Sequence, residues 1–158
     1  MTTQVGHFIN GQQVAPQDGN LIDIHNPSTG AVCGQVEMAS SARVQHAIDT
    51  AQAAFPAWRA TPPAKRAQVM FRLKQLLEQH SDKICALISE EHGKVLHDAK
   101  GELQRGIENV EFACGMPQLL KGEHSKDVGP GIDAWCEFQP LGVVAGITPF
   151  NFPAMVPL

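Results

Sequence analysis

Apolar residues along the chain follow two periods, and the switch between them falls near Ser40. Before it, short apolar stretches are separated by turn-forming residues, the pattern of small β-sheets. His7 to Val14 predicts a hairpin, with Asn10-Gly11 supplying the positive φ values of a type I′ turn. Leu21, Ile22 and Ile24 predict one further strand and Val32 to Val36 another, joined through Asn26-Pro27-Ser28-Thr29-Gly30. The opening therefore reads as antiparallel β.

After Ser40 the apolar spacing becomes that of helices. Val44, Ala47, Ile48, Ala51, Phe55 and Trp58 form one face behind a cap at Ser40 or Ser41. A second helix starts at Thr61 with Pro62 in its first turn, and Val69, Met70, Leu73, Leu76 and Leu77 are its expected buried stripe. A third begins at Ser81, buries Ile84, Leu87 and Ile88, and ends on a left-handed cap at Gly93. The fourth and longest runs from about Val95 to Leu120 through Leu96, Ala99, Leu103, Ile107, Val110, Ala113 and Cys114. Gly101, Gly106, Gly115 and Pro117 should weaken or bend it.

The pattern then changes again. Gly122 to Gly131 reads as a polar connector, and Ala134 to Gln139 alternates as a half-exposed strand does. Gly142 to Ile147 is apolar without alternation, the signature of a strand covered on both faces of a parallel sheet. One such strand needs parallel neighbours and helices over both faces, so the sequence is expected to stop inside a domain.

Composition narrows the function classes. In 158 residues, 12 Lys and Arg stand against 16 Asp and Glu, with no basic block, which disfavours nucleic acid as a partner. Cys33, Cys85, Cys114 and Cys136 form no CxxC pair and read as free thiols of a reducing compartment. The amino terminus shows neither an export nor a transit signal, so a cytoplasmic location is expected. Phe138 to Leu158 lacks charge, yet four prolines and Asn151 argue against a membrane span.

Several apparent motifs fail on context. Gly129-Pro130-Gly131-Ile132-Asp133-Ala134 fits a dinucleotide-loop pattern by letters, but it precedes a strand where that loop must open a helix. Gly93-Lys94 lacks the rest of a phosphate-binding loop and reads as a helix end. His92 and His97 are five apart and make no metal pair, so no metal is expected. Glu90, Glu91, Glu102, Glu108 and Glu111 read as solvated helix faces. Two residues stand out. Asn151, bracketed by Pro149 and Pro153, has the restricted backbone that an oxyanion donor requires, although a turn-capping asparagine fits the same pattern. Arg105 lies at the edge of an apolar stripe, where either an anionic ligand or a salt bridge to Glu102 or Glu108 must meet it.

In order, FINGQQV, NPSTGAV, AIDTAQAAFPAW, EEHGK, GELQRGIENVEFACG and PLGVVAGITPFNFPAMVPL resemble the amino-terminal part of an aldehyde dehydrogenase, across essentially the whole chain. Arg105-Gly106 and Ala145 to Pro153 are most similar to the CoA-acylating methylmalonate-semialdehyde dehydrogenases. The resemblance implies an α/β fold: small antiparallel strands, four helices, an oligomerisation strand and the first strand of the NAD-binding parallel sheet. Residues 1–132 would belong to the NAD-binding domain, 133–140 to the oligomerisation strand, and 141–158 to the start of the dinucleotide-binding sheet.

It further implies that a cysteine thiolate attacks the aldehyde, that the thiohemiacetal passes hydride to NAD, and that Asn151 donates to the oxyanion. Thr148 and Phe150 would line the nicotinamide side, and Arg105 would hold the carboxylate of malonate or methylmalonate semialdehyde. Coenzyme A would release the acyl group, with decarboxylation, as acetyl-CoA or propionyl-CoA. A homodimer or homotetramer is implied for the complete protein. None of the four cysteines matches the family's nucleophile motif, so this stretch alone is expected to be inactive. A hydrolysing NAD-dependent aldehyde dehydrogenase and a short non-catalytic assembly module remain the alternatives.

Overall fold

A computed structural model describes residues 3–17 and 20–158. Five short strands come first: β1 (Thr3–Val5), β2 (His7–Ile9), β3 (Gln12–Val14), β4 (Leu21–His25) and β5 (Val32–Glu37). β2 and β3 pair antiparallel about Asn10 and Gly11, whose φ values of 54° and 71° are those the tight turn demands. β5 is the central strand of the other sheet. It pairs antiparallel with β4, Ile22 facing Val36, and parallel with β1, Val5 facing the same Val36. The β-region is thus mixed, because β1 is too short to show a pattern of its own and returns to β5 only after the hairpin and β4. Glu37, 3% exposed, ties the hairpin to this sheet: it accepts from the Gln17 amide at 2.7 Å and lies 3.0 Å from His7 Nε2.

Four long helices follow: α1 (Ser41–Ala60), α2 (Pro63–Gln79), α3 (Ser81–His92) and α4 (Leu96–Cys114). Ser40 caps α1, its side chain accepting from the Arg43 amide, and Pro63 occupies the first position of α2. α4 stops earlier than the apolar pattern predicts. Gly115 breaks it, and a single turn, α5 (Met116–Leu119), takes over with Pro117 near its start.

Burial departs from the sequence pattern in a consistent way. The core lies between α3 and α4, where Cys85, Ile88, Ala99, Leu103 and Ile107 are enclosed and Leu77, Ile84, Ala154 and Leu158 close the edges. Full burial of a leucine such as Leu103 contributes roughly 1.5–3 kcal/mol. The expected stripe of α1 is largely open, with Val44, Ile48 and Trp58 exposed, and that of α2 is only partly covered: Val69 and Leu76 are exposed, Met70, Leu73 and Leu77 half-buried; Leu87 of α3 is exposed as well. The α1 face borders an open cavity shared with β2 and Val143-Val144, so its apolar spacing is only partly met by packing among the described residues.

The remaining residues also differ from expectation. Within the supposed connector, β6 (His124–Gly129) pairs with β7 (Ile132–Trp135) around Pro130-Gly131, so the dinucleotide-like GxGxxA letters form a hairpin turn. Pairing reaches only Trp135; Cys136 adds one bond to the Glu123 carbonyl, and Glu137 to Gln139 lie outside the ladder. Residues 143–148 join no strand among the described residues, and Ile147 is fully exposed. The apolar composition is right for a buried strand, but a strand exists only with a neighbour to bond to. Residues 152–158 turn back onto α4. Gly106 makes that approach feasible: a Cβ there would lie 2.8 Å from Leu158 Cδ1 and 3.3 Å from Met155 Cα.

Candidate functional site

The end of α3, the first half of α4 and the loop at Asn151 enclose a cleft of about 510 Å³. Gly93 sits between two of its lining residues, His92 and Lys94. At φ 85° it ends α3 in the left-handed conformation, its N–H donating to the Ser89 carbonyl at 2.8 Å, and releases the chain before Val95 opens α4. Lys94, between the two helices, therefore projects across the start of α4. Its Nζ donates to Glu102 Oε2 at 2.7 Å and to the Asn151 main-chain oxygen at 2.8 Å, and lies 4.8 Å from the Phe152 ring centre.

Glu102 is the centre of this network. It is 1% exposed, which corrects its reading as part of a solvated face. Its second oxygen accepts from the amides of Ala154 and Met155 at 2.8 and 3.2 Å. Desolvation works against its ionisation, but the Lys94 hydrogen bond, the two amides and the nearby ammonium charge outweigh it, and the carboxyl is held below the usual glutamate range.

Arg105 lies one turn further along α4, exposed, and lines the same cleft. The salt bridge considered from sequence is not made: Glu102 is engaged by Lys94, and Glu108 accepts from Gln104 at 3.2 Å. No hydrogen bond or ion pair joins Arg105 to another described residue. Asn151 also lines the cleft. Its backbone oxygen is held by Lys94, while its carboxamide has no partner among the described residues. Arg105 and Asn151 thus face one space, each with unspent hydrogen-bonding groups.

Thr148 and Phe150 lie outside that lining, on the open segment before it. Phe150 is 84% exposed and its ring stacks on His92, centres 6.1 Å apart and 14° from parallel. His92 and His97 both border the cleft despite their five-residue offset, because helix α3 and helix α4 contribute one each. None of the four cysteines lines it. Cys85 is enclosed in the core, where burial pushes its thiol up, away from the thiolate a nucleophile needs.

Residues 14–158 match the model of the aldehyde dehydrogenase family, nearly the entire chain. The chain belongs to the aldehyde dehydrogenase family. Among curated proteins, a malonate-semialdehyde dehydrogenase of Pseudomonas aeruginosa is 66% identical over 152 residues, covering 96% of this chain and 30% of that protein. Among solved structures, the methylmalonate-semialdehyde dehydrogenase DddC from Oceanimonas doudoroffii superposes with a TM-score of 0.95 at 66% identity, over 99% of this chain and 32% of that one. A putative methylmalonate-semialdehyde dehydrogenase from Sinorhizobium meliloti, solved with NAD, gives the same TM-score at 46% identity and the same coverage. The chain spans about a third of the length of these relatives. Its strands and helices match the amino-terminal third of aldehyde dehydrogenase structures, so this mixed α/β arrangement is that family's.

Lys94, Glu102 and His92 are the site residues that motif reading passed over. A signal for Glu102 existed: it sits three residues after Ala99 and four before Gly106, on the buried face of α4 rather than opposite it.

Proposed function

We propose that residues 1–158 form the carboxylate-binding and oxyanion-donating wall of an NAD-dependent, CoA-acylating dehydrogenase of malonate or methylmalonate semialdehyde. The observation that carries the reading is the pairing, on one cleft, of the Arg105 guanidinium and the Asn151 carboxamide, neither with a partner among the described residues. Such a pair suits a substrate with a carboxylate at one end and a carbonyl at the other. The similarity to malonate-semialdehyde dehydrogenase supports that substrate class.

Arg105 holds the carboxylate through its planar fork, and this fixes which end of the substrate faces Asn151. Asn151 donates its carboxamide N–H to the oxygen that gains charge when a thiolate from outside these residues attacks the carbonyl. A bound NAD would supply the hydride acceptor for the carbon that the thiolate has attacked. Thr148 and Phe150, on the exposed segment before the cleft, are the residues of this stretch that would lie beside its nicotinamide ring. Coenzyme A as co-substrate takes the acyl group, and the free carboxylate leaves as carbon dioxide or bicarbonate; this part of the reading rests on the sequence resemblance.

The test uses a hybrid enzyme in which residues 1–158 are joined to the remaining two thirds of the Pseudomonas relative. It is expected to form NADH and acetyl-CoA from malonate semialdehyde, NAD and coenzyme A. Arg105→Ala should raise KM for the semialdehyde roughly tenfold to a hundredfold, the worth of one charge-assisted hydrogen bond of about 1.5–3 kcal/mol, and leave an uncharged aldehyde unaffected. Equal losses with both aldehydes, or free acid in place of the thioester, would overturn the assignment.

A further inference from the structure

We infer that Lys94 and Glu102 are positioning residues for Asn151, acting through the backbone of the loop that carries it; this rests on Asn151 being the oxyanion donor proposed above. The tie is made at the asparagine's own carbonyl and at the amides that follow it. Before Phe152, Lys94 grips the Asn151 carbonyl at 2.8 Å; beyond Pro153, Glu102 grips the amides of Ala154 and Met155. The two side chains are bonded to each other at 2.7 Å and are 11% and 1% exposed. One ammonium and one carboxylate thus fasten residues 151–155 to α4, while residues 143–148 on the other side of the loop are bound by no strand.

This arrangement explains why an ion pair is buried here at all. Desolvating two charges is costly, and an apolar pair of equal volume would fill the space at least as well. An apolar pair, however, offers nothing to the Asn151 carbonyl or to the two amides. The Phe152 ring beneath Nζ further restricts where the ammonium sits. The carboxamide keeps both hydrogens for the substrate because its own main chain carries the anchoring.

The effect of removing Lys94 has an upper limit. A displaced donor can lose no more than a deleted one, and deleting one oxyanion donor costs about a hundredfold to a thousandfold in kcat. In the hybrid enzyme, Lys94→Met is therefore expected to lower kcat about tenfold to a hundredfold, below the Asn151→Ala loss, with KM for the semialdehyde changed less than about twofold because Arg105 is untouched. In the Asn151→Ala background the same substitution should change kcat by less than about twofold. Lys94→Arg, which keeps the cation, should recover most of the activity. Glu102→Gln should repeat the loss and its dependence on Asn151, and it serves as the perturbation if Lys94→Met does not fold by thermal melting. A full Lys94 or Glu102 effect persisting without the Asn151 carboxamide overturns the inference, as does wild-type kcat in both variants. If Asn151→Ala is itself without effect, the donor assignment fails first.

Discussion

Replacing Glu102 by alanine isolates the strength of the fastening that holds the Asn151 loop. The substitution deletes one acceptor for the Ala154 and Met155 amides, at 2.8 and 3.2 Å, and the partner of Lys94, at 2.7 Å. Breaking a buried ion pair by removing one member costs about 3–5 kcal/mol, and each hydrogen bond to a charged group about 1.5–3 kcal/mol. Both figures must be reduced here. Lys94 is 11% exposed and retains the Asn151 carbonyl, and Ala154 and Met155 are only half-buried, so their amides can turn to water. A cost of about 2–3 kcal/mol remains, localised to residues 151–158. Hydrogen exchange of the Ala154 and Met155 amides in the hybrid enzyme reads it directly. At about 1.4 kcal/mol per tenfold, exchange should accelerate roughly 30-fold to 150-fold. Glu108→Ala is the control: Glu108 is exposed and, among the described residues, bonded to Gln104 alone, and its removal should leave both amides unchanged. Equal exchange rates in the two variants would refute the claim that Glu102 fastens the loop.

The same carboxyl sets an acid limit. Its pKa is depressed in the folded state, so its contribution is fully present above the unfolded value of about 4.3 and is lost as pH falls through the folded value. The urea midpoint followed downward from about pH 6 should therefore fall less steeply below the unfolded pKa in Glu102→Gln than in the parent; parallel curves would contradict the assignment. Gly93→Ala should cost about 1–2 kcal/mol in a urea melt, since φ of 85° is strained for a residue with Cβ and that Cβ would meet Pro27 Cγ at 3.1 Å. An unchanged midpoint would show that α3 can end in another way.

Elements that satisfy their own hydrogen bonds were legible in the sequence, and elements defined by a distant partner were not. Asn10-Gly11, Ser40 and Gly93 act within a few residues of themselves, and each lies where its local chemistry places it, whereas α2 starts at Pro63 with Pro62 as its cap, two residues later than expected. β1 and β6 are short, polar or both, and exist because of the strands they bond to. Apolar spacing overstated burial on α1 and α2, since periodicity records which face seeks cover and not whether cover is present. Glu102 shows the opposite failure. Charge alone suggested solvent, yet its place between Ala99 and Gly106 puts it inside, and the cation that neutralises it lies eight residues earlier in a different local context.

Asn151 itself changes meaning once its supports are known. The sequence suggested a sheet strand before it and a backbone restricted by Pro149 and Pro153. In this chain residues 143–148 have no ladder, and the asparagine's placement comes from the helical side: Lys94, placed by the Gly93 cap, and Glu102, placed by the register of α4. Arg105 is fixed by that same register, three residues after Glu102 and therefore about one turn along the same helix. The Arg105 guanidinium is carried by α4 and the Asn151 loop is tied to that helix through Lys94 and Glu102, so their relative placement is set on the helical side. A bulky residue at Gly106, whose Cβ would meet Leu158 and Met155, should push residues 155–158 off α4 and move Asn151 against Arg105, so kcat should fall with KM for the semialdehyde changed little, as when the Lys94 tie is broken; a loss in KM alone would contradict this.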